Sequence, residues 1–322
     1  MPYSKEKIIQ IGEYFQKHGE EKTLTDFNLK SETLNRLLRK YKNIDDKFEI
    51  NNTLKKIAER YSETDLKAIA NGGRLVPGQT KVPIIKFDGD IFKIGYFTDS
   101  HIGSIYFKEH YFNQMLEVFK KEKIDMVVHS GDVTHGMNHH QDLIYELTHI
   151  GYDAQKEYGG KILSQLEWPF KCINGNHDRW FIKGNGANIV KDICSDLKHI
   201  YKKDAEWLGH DEGDISLGGK AVLKLWHGED GNSYAVSYRL QKIVEAFTGG
   251  EKPHILLTGH THKQGYFMTR FIHVVSGGAM SIQSHWMRSK KIENHTGFWV
   301  IEIHVNKNGV SRFKPEWFPF YA

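Results

Sequence analysis

Apolar positions follow two different rhythms along this chain, and the change falls near residue 90. Over the first 70 residues they recur at helical spacing. Ile8, Ile9, Ile11, Tyr14 and Phe15 share one face of a first helix. Thr23 to Asn28 predicts a short second helix and Leu29-Lys30 a turn. Ser31 predicts the cap of a third helix reaching about Lys42, with Leu34, Leu37 and Leu38 on its apolar side. Helical pattern continues over 52–70. Gly72-Gly73, Pro77-Gly78 and Pro83 then interrupt any helix. These signals predict a helical domain over 1–70, a linker over 71–88 and a second domain over 89–322.

From Ile91 the apolar runs shorten to strand length: Ile91–Phe97, Met126–His129, Phe170–Ile173, Ala221–Trp226, His254–Leu257 and Phe271–Val275. Helical patterns lie between them at about 109–122, 141–166, 185–197 and 234–247. Strand, polar block, helix, repeated, predicts an α/β fold with its site at one end of the strands. Gly297–Val305 and Val310–Lys314 flank Asn306-Lys307-Asn308-Gly309, whose Asn-Gly step predicts a hairpin. The predicted class is a β-sandwich flanked by helices, with a small all-α N-terminal domain.

Composition narrows this picture only a little. The 322 residues suffice for one large domain and a small one. A formal net charge of +4 neither demands nor excludes nucleic acid. The cysteines, Cys172 and Cys194, are too few for a disulfide framework, so the chain reads as intracellular and cytoplasmic, with Cys172 packed in a strand. Met1 to Gln10 is too polar for a signal peptide, and no apolar run approaches the roughly 20 residues of a membrane span.

Candidate chemistry changes the picture more. Five short blocks stand in fixed order: Asp99-Ser100-His101, Gly131-Asp132, Gly175-Asn176-His177-Asp178, the isolated His227, and Gly259-His260-Thr261-His262. Each follows a predicted strand, and together they offer Asp, His and Asn in the numbers that two adjacent divalent metals need. Gly-Asn-His-Asp alone arises by chance in roughly 1 in 1,000 chains of this size, so solvated loop histidines explain the whole set poorly. Two divalent ions about 3.5 Å apart repel by on the order of 20 kcal/mol at an effective dielectric of 20. An anionic bridge offsets that repulsion. Two carboxylates against four positive charges leave a surplus of about two, which suits phosphate. Two divalent ions are expected, Mn2+ first, although mixed N and O donors without cysteine suit Mn, Fe, Zn or Ni alike and do not choose among them.

These blocks resemble the calcineurin-like metallophosphoesterase superfamily, over about 90–310. The resemblance implies a two-sheet sandwich with a two-metal centre at the strand ends. It implies that Asp99, His101, Asp132 and His262 hold the first metal, and that Asp132, Asn176, His227 and His260 hold the second, with Asp132 as the bridge. It further implies that His177 steers phosphate and protonates the leaving oxygen. Asp178 is expected to orient His177. Thr98 stands where the family carries a glycine, a departure that removes no donor.

The substrate is less sharply marked. His135, His139 and His140 follow Asp132 in a loop expected to face it. His129, His254, His273, His285, His295 and His304 are expected to pack or solvate. Helix, short helix, turn and capped helix is the helix-turn-helix order. Arg36, Arg39 and Lys40, near the outward side of the third helix, predict contacts with DNA phosphates. A protein-docking module or a plain three-helix bundle gives the same pattern. Aromatics and cations interleave at Tyr145, His149, Tyr152, Lys156, Tyr158 and Lys161. They do so again at Trp180, Tyr238, Arg239, Trp286, Arg288, Lys290 and Lys291. Both sets fit base stacking as well as packing. A DNA-binding module joined to a phosphodiester-cleaving centre predicts a nuclease acting on DNA by a two-metal mechanism, resembling phage or repair members of the superfamily. The alternatives are a small-molecule or cyclic-nucleotide phosphodiesterase, a protein phosphatase, and a non-enzymatic DNA-binding regulator. The complete donor set opposes the last.

Overall fold

A computed structural model describes residues 3–41, 85–137, 141–229, 235–247 and 252–321. The chain divides into two compact units, Met1–Leu75 and Val76–Ala322, each taken by itself below. In the first, α1 (Lys5–His18) begins at Ser4, whose side chain accepts from the Lys7 N–H. Gly19 takes φ +77°, so α1 ends there and α2 (Glu20–Asp26) starts at once. That start lies three residues before the predicted one. Thr23 does not open the helix; it is buried and its hydroxyl bonds back to the Gly19 carbonyl. A third helix, α3, covers residues 31–41. The Lys30 carbonyl accepts its first bonds, from Thr33 and Leu34, so Lys30 occupies the cap position assigned to Ser31. The Ser31 hydroxyl donates instead to Glu20 at 3.0 Å. Ile8, Ile11, Leu34, Leu37 and Tyr41 close a small core. Arg36, Arg39 and Lys40 are exposed. The helical pattern over 52–70 and most of the assigned linker lie outside the described residues.

The second unit contains two six-stranded sheets. One runs β1 (Ile85–Phe87), β6 (Glu212–Leu217), β7 (Ala221–Trp226), β8 (Ile255–Thr258), β10 (Ile272–Gly277) and β9 (Gln264–Thr269). The other runs β12 (Gly309–Pro319), β11 (Gly297–Asn306), β2 (Ile91–Phe97), β3 (Met126–His129), β4 (Phe170–Ile173) and β5 (Ala205–Gly209). β1 corrects the end of the assigned linker: residues 85–87 pair in parallel with β6, Ile85 opposite Ile215. The alternating side chains of β2, β3 and β4 put Ile94, Tyr96, Met126, Val128 and Ile173 between the sheets, against Leu223, Leu225, Ile255 and Leu257. Their opposite faces pack on α4 (Glu109–Glu122), α5 (Tyr152–Leu163) and α7 (Ile189–His199). On the far side of the other sheet, Leu240 and Val244 of α8 (Val236–Ala246) cover Leu256, Ile272 and Val274.

Glycines account for the main departures from the predicted helices. The run 141–166 is a 3-10 turn (Gln141–Glu146) and then α5, separated at Gly151, which takes φ +88°. The run 185–197 likewise breaks at Gly186, φ +78°, between α6 (Arg179–Asn185) and α7, whose cap Asn188 accepts from the Lys191 N–H. Phe271, placed in a strand by its apolarity, sits at φ +61° in the turn before β10 and is 83% exposed. What positions the site is strand direction. β2, β3 and β4 are mutually parallel, as are β7, β8 and β10, so the segments that follow them leave each sheet at one end.

Candidate metal centre

Asp99 and His101 follow β2, Asp132 follows β3, Asn176 follows β4, His227 follows β7, and His260 and His262 follow β8. These strands are neighbours in their sheets, and the two sheets face each other across the core. The seven side chains therefore meet where both sheets end. Asp99 Oδ1 lies 3.3 Å from His262 Nε2, which is 3.2 Å from His101 Nε2. Asn176 Oδ1 lies 3.1 Å from His227 Nε2 and 2.9 Å from His260 Nδ1. Asp132 stands between the groups, its Oδ2 3.3 Å from His227 Nε2 and 3.8 Å from His101 Nε2.

The backbone is bent to achieve this. Asp99, His101, Asp132, His260 and His262 all adopt left-handed φ, between +47° and +75°. Each such residue costs of order 1–3 kcal/mol and persists only where its surroundings fix it. Here they do. The Asp99 N–H donates to the Gly131 carbonyl at 3.1 Å and the His101 N–H to the Asp132 carbonyl at 3.0 Å. The His260 N–H donates to the Asp99 carboxylate at 3.0 Å, and the His177 N–H to Asp132 Oδ1 at 2.8 Å. Gly175 is obligatory, since a Cβ there would stand 2.1 Å from Asp132 Oδ1 and 2.2 Å from the Asp132 nitrogen.

The tautomers point inward. His227 Nδ1 lies 2.7 Å from the Ser130 carbonyl, which only an N–H can satisfy. His262 Nδ1 lies 2.8 Å from Asn294 Oδ1. A neutral imidazole has one proton, so committing it outward leaves a lone pair on Nε2 facing the cluster. Lone pairs converging at these distances repel unless a cation shares them, and the set is hard carboxylate and amide oxygen with imidazole nitrogen. The residues thus fit divalent metal ions. Without a cation the charge is met by protons. Burial opposes it, but Asp132 raises His227 to about 9. Despite burial, His227 and then His177 hold the Asp132 carboxyl well below its usual range. Burial, reinforced by His177, drives His101 well below the ordinary imidazole value.

His177 and Asp178 take separate tasks. His177 Nδ1 donates to the His135 carbonyl at 2.8 Å, which leaves Nε2 for the cavity that the residue lines. Burial lowers its pKa to about 4. Asp178 does not orient it, contrary to expectation. The Asp178 carboxylate is fully buried and accepts from the N–H groups of Val133, Thr134 and Gly175 at 3.1, 2.8 and 2.8 Å. It ties the Asp132 turn to the Asn176 turn. Burial, then the nearby Asp132, raises it to about 7.

The profile of the calcineurin-like phosphoesterase superfamily domain matches residues 92–290, well over half of the chain and all seven donor positions. The chain belongs to that superfamily. It is 23% identical over 257 residues, 66% of this chain, to the DNA polymerase II small subunit of Methanothermobacter thermautotrophicus. The chain spans about half of that relative, 52% of its length. Among solved structures, a novel archaeal phosphodiesterase matches at 15% identity and TM-score 0.42, covering 70% of this chain and 99% of that one. The phosphoesterase YfcE of E. coli matches at 17% and 0.37, covering 69% and 98%.

Other residues at this phosphoesterase centre carried no distinct signal in the sequence. Asn294 orients His262 from 32 residues away, with no motif around it. Tyr96 reads as a core strand residue, yet its hydroxyl lies 2.7 Å from Ser130 Oγ and donates to the Thr258 carbonyl at 2.8 Å, linking the sheets beneath the centre. His129, expected only to pack, accepts from the Gly131 N–H at 3.1 Å and meets Ser100 Oγ at 3.0 Å. His135 lines the cavity, its Nδ1 3.3 Å from His101 Nδ1. His139 and His140 lie outside the described residues. Most of the first aromatic–cation set is engaged within the fold: Tyr152 bonds Asp192, Lys156 pairs with Asp196 at 3.1 Å, and Tyr158 stacks on His149, whereas Tyr145 and Lys161 are exposed.

Proposed function

We propose that this phosphoesterase is a nuclease that hydrolyses phosphodiester bonds of DNA in the cytoplasm, with the seven clustered donors holding two divalent ions, Mn2+ first among the candidates. The observation that carries the reading is the cavity of about 660 Å³ whose lining includes His101, Asp132, Asn176, His177, His260 and His262. A phosphodiester entering it meets the donor cluster and His177 together. When bound, two such ions withdraw electron density from the phosphoryl oxygens and make water a nucleophile at neutral pH. The chain's own residues do the rest. Asp132 supplies the negative charge between the two donor groups. His177, held by the His135 carbonyl, presents Nε2 to the ester. Its low pKa keeps it neutral until an anionic ester arrives, whose charge favours the protonated ring. That ring then gives its proton to the leaving oxygen.

DNA is favoured by two independent supports. The likeness to a DNA polymerase subunit is one. The other is the row of exposed Arg36, Arg39 and Lys40 on α3, which follows α2 after a short turn as a recognition helix does. The test is a metal-supplemented assay offering single- and double-stranded DNA, a cyclic nucleotide and a phosphopeptide side by side. Cleavage of DNA above the others supports the reading. Hydrolysis confined to the phosphopeptide or the cyclic nucleotide refutes it.

A further inference from the structure

The donor cluster forms one wall of its cavity. The same cavity is also lined by a group of large apolar and aromatic side chains, Tyr106, Trp180, Ile282, Trp286, Met287 and Ile292. Trp180 lies against His177, ring centroids 4.0 Å apart. Trp286 is 60% exposed, an unusual place for the largest apolar side chain. Its backbone is pinned there. It belongs to the short helix α9 (His285–Ser289), capped by Ser284, whose Oγ accepts from the Met287 N–H at 3.2 Å. Met287 is buried beneath it. The His285 N–H donates to the Tyr106 hydroxyl at 3.1 Å, and that hydroxyl donates to Glu146 at 2.9 Å. An indole thus stands at the mouth of the site, on a backbone that is held before a ligand arrives.

We propose that this group forms a stacking subsite for a single unpaired nucleobase, whose adjoining phosphate lies on the donor cluster; the proposal rests on the nuclease reading. The cavity, about 660 Å³, is on the scale of a single small ligand rather than of a duplex. One nucleotide fits, as the volume lies within the roughly 300–1,000 Å³ of small-ligand sites. Indole faces stack any base through its π-face, which gives affinity without sequence preference. Arg288, Lys290 and Lys291, directly after Trp286, are exposed and match the phosphates of the strand leading in. The substrate class is therefore a single-stranded or frayed end.

Two measurements on the full-length protein test this. In the first, Mn2+-loaded protein is titrated with thymidine 5′-monophosphate and with deoxyribose 5-phosphate, followed by calorimetry. Stacking predicts that the nucleotide binds roughly 5- to 150-fold tighter. Trp286→Ala should lose most of that preference, and Trp286→Phe should keep most of it. In the second, Mn2+-loaded protein is given a thymidine decamer, the same decamer with an abasic terminal nucleotide, and a blunt duplex. The kcat/KM ratio of base-bearing to abasic ends should fall toward one in Trp286→Ala, and the blunt duplex should be the poorest of the three. Equal binding of nucleotide and sugar phosphate overturns the subsite. So does a ratio that Trp286→Ala leaves unchanged, or a preference for the blunt duplex. Base-selective binding with no oligonucleotide cleavage refutes the nuclease reading and leaves the subsite standing.

Discussion

Acid should release the donor turns through His129. This ring is fully buried and edge-on to Phe97. Its Nδ1 accepts from the Gly131 N–H, so its proton sits on Nε2 and is given to Ser100 Oγ. A second proton on Nδ1 breaks the bond to Gly131, the residue before Asp132, and places an uncompensated charge in the core. Burial accordingly lowers the pKa to about 3. The folded value lies below the unfolded one of about 6.5, so stability is full above about pH 6.5 and is lost as pH falls toward 3. Between pH 7 and 5 the loss from this one group is about 2 kcal/mol, since each unit of separation is worth about 1.4 kcal/mol. Urea unfolding of chelator-treated protein at both pH values, for wild type and His129→Gln, measures it. The amide side chain retains an acceptor and a donor but does not titrate. Wild type should lose about 2 kcal/mol more than the variant over that interval. If the two lose stability in parallel, the ring is not held neutral by its burial and the argument fails.

Four further outcomes are expected of the site and the helical unit. Asp132→Ala and His260→Ala should abolish hydrolysis with loss of bound metal, whereas His177→Ala should retain metal by elemental analysis and lose roughly 100-fold or more in turnover. Full activity of the His177 variant would remove it from proton transfer. Because Asp132 raises His227 to about 9 when no cation is present, metal binding at pH 7.5 should expel about one proton, visible as a buffer-dependent heat in calorimetry; heats independent of the buffer would contradict this. Exchanging Arg36, Arg39 and Lys40 for Gln should weaken duplex binding and lower the salt slope by roughly 0.9 for each phosphate no longer neutralised, and an unchanged slope would mean that α3 does not touch DNA. The same triple variant should hydrolyse a small chromogenic diester normally, because all seven donors lie after residue 98; slower hydrolysis would place α3 in the chemistry.

The donors were legible because their spacing relative to the strands is local. β2, β3, β4 and β7 coincide with the apolar runs that predict them, and each is followed at once by its donors. Relations between distant segments left no such trace. Asp178 stands beside His177, and adjacency suggested a hydrogen bond. Yet its carboxylate turns back to Gly175 and across to Thr134, because their buried N–H groups need an acceptor. β9 was missed since it is an edge strand with Tyr266 and Met268 exposed, so one side of its pattern carries no burial signal. Ser31 fits a cap by type, but a cap is decided by which carbonyl accepts first, and that is Lys30.

The left-handed residues around the centre carry a consequence for how this protein trades durability against work. His260 holds φ +75°, a conformation that glycine enters freely and histidine does not. Replacing it with glycine removes a donor and relaxes the chain at one stroke. Relief of that strain should offset part of what the lost ring contacts cost, so the metal-free glycine variant should be more stable than the matching His260→Ala variant. At His260 the side chain serves the donor cluster at the expense of its own backbone, whereas Asp99 and Asp132 serve both, since their carboxylates also accept the His260 and His177 N–H groups.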